Sequence, residues 1–153
     1  MPLSIGSKIP DVVGTLPDGS TWRSADAKGH PLVIYFYPKD FTPGCTREVC
    51  MVRDLYQELV KHGLNAAGVS PQSPASHRSF RAKHNLPFTL LADEDKSVIK
   101  MYEVNGPLGF GVRRVTYLID QARVIRDAVL ADFRIDRHEE FIQRSLALSR
   151  NVR

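Results

Sequence analysis

The chain has 153 residues, 42% of them apolar and 25% charged, with a net charge of +4. That length suits one domain (1–153) with its own hydrophobic core, and the composition excludes a disordered chain. Lysines and arginines are spread out with no run of five or more, and the basic tail IDRHEEFIQRSLALSRNVR interleaves Asp136, Glu139 and Glu140. Nucleic acid is therefore not an expected partner. The start, MPLSIGSKIPDVVG, lacks a basic stretch followed by an apolar run, and no apolar run approaches the roughly 20 residues of a membrane span. A cytoplasmic protein with no membrane partner is expected, and there a cysteine pair is more often catalytic or metal-bound than a structural bridge.

The first thirty residues place turn signals (Pro10-Asp11, Pro17-Asp18-Gly19, Lys28-Gly29) between short apolar pieces around Val12-Val13 and Trp22, which predicts a small hairpin. The run Leu32 to Tyr37 (LVIYFY) predicts a central strand buried on both faces. Pro38 stops it, and a helix follows from about Thr42 to His62, closed by Gly63. Leu64 to Ser70 predicts a strand, Pro74 to His84 a helix, Phe88 to Leu91 a strand, and Ser97 to Tyr102 a short helix. Val115–Ile119 and Val124–Leu130 predict a hairpin turning at Asp120-Gln121-Ala122, and a helix from Asp136 to Ser149 closes the chain. Strand–helix–strand–helix followed by a hairpin and a last helix is the order of an α/β, thioredoxin-like fold with an added N-terminal β-hairpin.

Both cysteines lie in YPKDFTPGCTREVC, five positions apart. Thr42 suits an N-cap and Pro43 a first helical position, so Cys45 falls in the first turn. Unpaired N–H groups and the positive end of the helix dipole there favour a thiolate. Cys45, Val49, Val52, Tyr56 and Leu59 recur at helical spacing, which turns Cys45 inward. Cys50 lies on another face, alongside Arg53, Asp54 and Gln57. Helix geometry separates the two Cα atoms by roughly 8 to 9 Å, beyond the ~7 Å limit of a disulfide. A permanent bridge would forbid the helix. A zinc site wants about four ligands, and the histidines (30, 62, 77, 84, 138) are scattered without an H-x-x-x-H pair. The leading reading is a redox pair whose bridge forms when the helix unwinds locally.

Pro38-Lys39-Asp40-Phe41-Thr42-Pro43-Gly44-Cys45 fits P-x-x-x-T-x-x-C, and here the chain resembles a peroxiredoxin, in particular the Q type, or bacterioferritin comigratory proteins. The resemblance runs from Ile9-Pro10-Asp11 through the last hairpin; Phe41, where many relatives carry a small polar residue, departs from it. It implies that Cys45 is the peroxidatic cysteine and Cys50 the resolving one. Thr42 would engage thiolate and peroxide, and Pro38 would shield the thiolate. The segment RVTYLID matches R-x-[TS]-[FY] and makes Arg114 the active-site arginine, with Arg113 a solvated strand-end charge on the opposite side. The expected function is a thiol peroxidase for hydrogen peroxide and organic hydroperoxides, needing neither metal nor organic cofactor. Thioredoxin or a similar dithiol would recycle it, and with no cysteine after Cys50 a monomer is expected. The alternatives are a protein thiol–disulfide oxidoreductase and a non-enzymatic peroxide sensor or holdase.

Overall fold

The computed structural model describes residues 3–9, 12–24, 31–106 and 111–152, with 148–152 as backbone only. The turn signals at Pro10-Asp11 and Lys28-Gly29 lie outside these residues. A hairpin of β1 (Val13–Thr15) and β2 (Thr21–Arg23) forms around Pro17-Asp18-Gly19. There follow β3 (Leu32–Phe36), α1 (Pro43–Lys61), β4 (Asn65–Ser70), α2 (Pro74–His84), β5 (Thr89–Ala92) and α3 (Ser97–Met101). The hairpin of β6 (Val115–Ile119) and β7 (Ile125–Leu130) and the helix α4 (Ile135–Val152) complete the order.

The strands form one mixed sheet in the order β2-β1-β5-β4-β3-β6-β7. Strands β3, β4 and β5 run parallel at its centre, and β1 and β6 join them antiparallel. All five residues of β3 are buried, as its unbroken apolar run predicts. Alternation along it feeds two cores. Val33, Tyr35 and Tyr37 meet Cys45, Val49, Val52 and Leu59 of α1, Phe80 of α2 and Phe141 of α4. Leu32, Ile34 and Phe36 meet Val98 and Ile99 of α3 and Val115 and Tyr117 of β6. This is the mixed α/β architecture expected.

Element boundaries differ from the sequence reading by one to three residues, and at β7 the reason is visible. Strand β7 starts at Ile125 rather than Val124, because Val124 bridges Lys8 instead and the register shifts between Leu118 and Ile119. Asp120 shapes that turn, its Oδ1 accepting from the N–H groups of Ala122 and Val124. Arg114 lies one residue before β6, its N–H donating to Asp132 Oδ1 at 2.9 Å. Helix α1 ends as predicted: Gly63 takes φ +76°, its N–H reaches Val60 O, and that of Leu64 reaches Leu59 O. These two bonds are those of a Schellman cap. The strand–helix–strand path thereby sets the N-terminus of α1 at the carboxyl end of the central strand.

Candidate active site

The loop from β3 to α1 is held by a buried polar knot. Asp40 is buried, and its carboxylate accepts from Tyr37 Oη (2.6 Å) and Ser76 Oγ (2.7 Å) and contacts His77 Nδ1 at 2.8 Å. These bonds outweigh the effect of burial, which would raise the Asp40 pKa, and leave it below the usual aspartate value. The knot fastens the loop to the first turn of α2. Phe41, next in the chain, adopts φ +66°, uncommon for an aromatic residue, with its ring edge-on to Phe80 at 5.0 Å and Lys83 Nζ above it. The departure from the resembled pattern at Phe41 thus packs on α2 instead of entering the site.

Thr42 occupies the N-cap position of α1 and Pro43 opens the helix. The expected side-chain cap does not form: the Thr42 hydroxyl donates to Lys39 O at 2.9 Å. Its backbone carbonyl accepts from Thr46 N–H, so the helix starts regardless, and the hydroxyl oxygen keeps lone pairs for another donor. Cys45 lies in the first turn, 1% exposed and turned into the core, as its place on the apolar stripe predicts.

Over its sulfur lies Arg114. Nη1 and Nη2 both donate to Cys45 Sγ at 3.3 Å, and Nη1 also donates to Glu48 Oε1 at 2.8 Å. Nε reaches Asp132 O at 3.3 Å, so the guanidinium is fixed at three edges. Burial works against its charge, but the negative charges of Glu48 and Cys45 more than offset this and hold it above the usual arginine value. Gly44 makes room: a Cβ there would lie 3.2 Å from Arg114 Nη2. Arg113 is not a free strand-end charge: its Nε pairs with Asp132 Oδ2 at 2.8 Å, and it lines the same cavity as Arg114.

Glu48 is a site residue that the motifs do not name, although its position carries a legible signal. Three residues after Cys45 and four before Val52, it is a carboxylate on an apolar stripe. It is wholly buried between Arg114 and His138, with Oε2 3.4 Å from His138 Nδ1. Burial raises its pKa above the usual glutamate value against the pull of His138 and Arg114. His138 Nε2 faces Ala131 O at 2.9 Å and so carries a hydrogen, and Nδ1 meets the Thr116 hydroxyl at 2.8 Å. Among the described residues no group of three or more His, Cys, Asp or Glu side chains is disposed to hold a metal ion.

The five residues singled out in the sequence are not equally gathered. Cys45 and Arg114 are in contact, and Thr42 stands three residues earlier at the helix start. Pro38 and Arg114 line a cavity of about 300 Å³ whose wall includes Val112, Asp132 and Phe133. Cys50 stands apart, half-buried on another face of α1. It lines a second cavity of about 420 Å³ against Ile135 and Glu139 of α4, and its Sγ lies 3.8 Å from His84 Nδ1. Both cysteines are free thiols.

A family model described as the AhpC/TSA family matches residues 5–128. The chain belongs to the AhpC/TSA family. It is 40% identical over 134 residues to the peroxiredoxin Bcp of Bacillus subtilis, covering 83% of this chain and 85% of that one. Its fold is similar to the crystal structure of peroxidoxin BcpB from Mycobacterium tuberculosis, with a TM-score of 0.88, 29% identity and 99% of each chain covered. Peroxiredoxin Q of Xanthomonas campestris is also similar, with a TM-score of 0.82, 32% identity and 89% of each chain covered. With these peroxiredoxins as relatives the chain is a thiol-dependent peroxidase, an oxidoreductase on a thioredoxin-type fold. No helix among the described residues is long and apolar enough to cross a membrane.

Proposed function

We propose that Cys45 is the peroxidatic cysteine and that Arg114, Thr42 and Pro38 complete its site. The observation that carries this reading is the pair of Arg114 N–H donors, each 3.3 Å from Cys45 Sγ. In the reaction the Cys45 thiolate attacks one oxygen of a hydroperoxide and the O–O bond breaks. The other oxygen leaves with the bond pair, takes up a proton, and departs as water or an alcohol; Cys45 becomes a sulfenic acid. Negative charge moves from sulfur to the leaving oxygen. Donors already aimed at this point, Arg114 and the first-turn N–H groups, follow that charge without reorganising. Thr42, whose hydroxyl both accepts and donates, orients the peroxide, and Pro38 walls the approach through the cavity it shares with Val112 and Phe133. Apolar lining of that kind suits organic hydroperoxides as well as hydrogen peroxide.

Cys50 is the resolving cysteine in this reading. Two cysteines five apart on an intact helix are too distant to bond, so the first turns of α1 must open after Cys45 is oxidised. The cost is a few backbone hydrogen bonds at a net ~1 kcal/mol each, with exposure of residues such as Val49. Gly44 near the start of the helix eases the opening. An external dithiol such as thioredoxin then reduces the bridge, and the cycle runs in a monomer within the reducing cytoplasm.

Stopped-flow oxidation of the reduced protein tests this reading. Cys45→Ser should lose the reaction with peroxide, whereas Cys50→Ser should keep the first oxidation fast and lose thioredoxin-dependent turnover. Equal loss of the first step in both variants would contradict the assignment.

A further inference from the structure

Cys50 is paired, across 34 residues of sequence, with a histidine that the peroxide step does not use. Its Sγ lies 3.8 Å from Nδ1 of His84, the last residue of α2. The approach is built rather than incidental. Arg53, one turn beyond Cys50 on α1, donates from Nη1 to the His84 carbonyl at 3.0 Å, which ties the two helices together at this point. The imidazole is held edge-on against the Phe80 ring at 5.1 Å, and Phe80 packs in turn on Phe41. With a hydrogen on Nε2, Nδ1 is an acceptor facing the thiol.

We propose that His84 is the base that removes the proton from Cys50 for the disulfide-forming step. This rests on the reading of Cys50 as the resolving cysteine. An ordinary thiol, with a pKa near 8.5, is only about 3% ionised at neutral pH, so an unassisted Cys50 would attack slowly. When the first turns of α1 open and carry Cys45 toward Cys50, the Cys50 S–H bond breaks toward His84 Nδ1 as the Cys50 sulfur attacks the Cys45 sulfenic sulfur, leaving an imidazolium. The S–S bond forms, the S–O bond breaks, and hydroxide leaves and recovers the proton as water. The Cys50 sulfur is oxidised and the Cys45 sulfur reduced by the same electron pair, so no further oxidant is needed.

The surroundings keep the ring ready to accept. Partial burial, with the charges of Lys83 beside it on α2 and Arg53 across from it on α1, holds the His84 pKa below the ordinary 6.5. The neutral form therefore dominates at neutral pH, and the rate should fall only as the solution is taken below about 6.5.

The test follows both phases of one peroxide pulse: sulfenic acid formation, then loss of free thiol as the disulfide forms. In His84→Gln the second phase should slow about tenfold or more relative to the first at pH 7 and converge on wild type above about pH 9, where hydroxide ionises the thiol. In His84→Ala, added imidazole should restore the second phase in proportion to its concentration, a response that a packing role would not give. Equal second phases in wild type and His84→Gln at pH 7 would overturn the proposal. A second phase accelerated at every pH would also overturn it and show His84 to be a latch on the helix. A wild-type second phase that survives Cys50→Ser would show that the resolving-cysteine reading itself has failed, and this proposal with it.

Discussion

Replacing Arg114 separates its part in catalysis from its part in holding the fold. Arg114 is 7% exposed, and its guanidinium bonds a fully buried Glu48 at 2.8 Å. Arg114→Met leaves that carboxylate with only His138 nearby, and stranding one member of a buried ion pair costs about 3–5 kcal/mol. Against a total stability of about 5–15 kcal/mol the variant folds with little margin. The sign of its pH dependence follows from Glu48, which burial holds above its reference value of 4.5. The native state thus keeps this proton more tightly than the unfolded chain, and stability falls as pH rises from 4.5 through the folded-state value. Removing Arg114 removes one of the two attractions that restrain the rise, so the window extends upward. The variant should lose more stability at pH 8 than at pH 5, by about 1.4 kcal/mol for each further pH unit by which Glu48 ionisation is pushed up. Urea unfolding at the two pH values measures this. Arg114→Lys should recover much of the stability at pH 8, because one ammonium can face Glu48. It should not recover the rate, because it lacks the planar fork that gives Cys45 two donors. Stopped-flow peroxide rates should fall about 10²–10³-fold in the Met variant even at a pH where Cys45 is fully ionised. Equal stability loss at pH 5 and pH 8 would refute the claim that Glu48 is the charge Arg114 holds. A near wild-type rate at high pH would place the arginine outside the chemistry.

Gly44→Ala improves the helix by up to ~1 kcal/mol but sets a Cβ 3.2 Å from Arg114 Nη2, so unfolding should show little loss while the peroxide rate drops. Asp40→Asn removes the charge that organises Tyr37, Ser76 and His77. The depressed Asp40 pKa means its stabilisation is present above 3.8 and fades as pH falls through the lower folded value, so the variant should lose stability at pH 7 and less at pH 3. Gly63→Ala forces a Cβ into φ +76° and should cost ~1 kcal/mol in chemical denaturation, with the peroxide rate unchanged.

The parts of the site legible in the sequence are those that local rules govern. Thr42-Pro43-Gly44 announces a helix start, and the 45-49-52-56-59 spacing turns Cys45 inward; both depend only on neighbours within a few turns. Glu48 was equally local, but a carboxylate on an apolar stripe becomes meaningful only when its counter-ion is known. That counter-ion, Arg114, is 66 residues away and is delivered by the β3–β6 pairing. Resemblance supplied its role; no periodicity could. The Asp40–His77 knot and the Cys50–His84 contact depend in the same way on β4 returning α2 to the side of α1. The Thr42 hydroxyl shows the converse limit: the residue stands where capping preference puts it, yet the loop conformation gives its hydrogen to Lys39 O.

The most direct test of the central claim is to find which sulfur meets the peroxide. Reduced Cys50→Ser protein is treated with one equivalent of hydrogen peroxide in the presence of dimedone, then digested and sequenced by mass spectrometry. The account predicts a near-stoichiometric sulfenic-acid adduct on Cys45, lost when Arg114→Met is combined with Cys50→Ser at the same short reaction time. An unmodified Cys45 in folded, reduced Cys50→Ser protein whose peroxide has been consumed would contradict it.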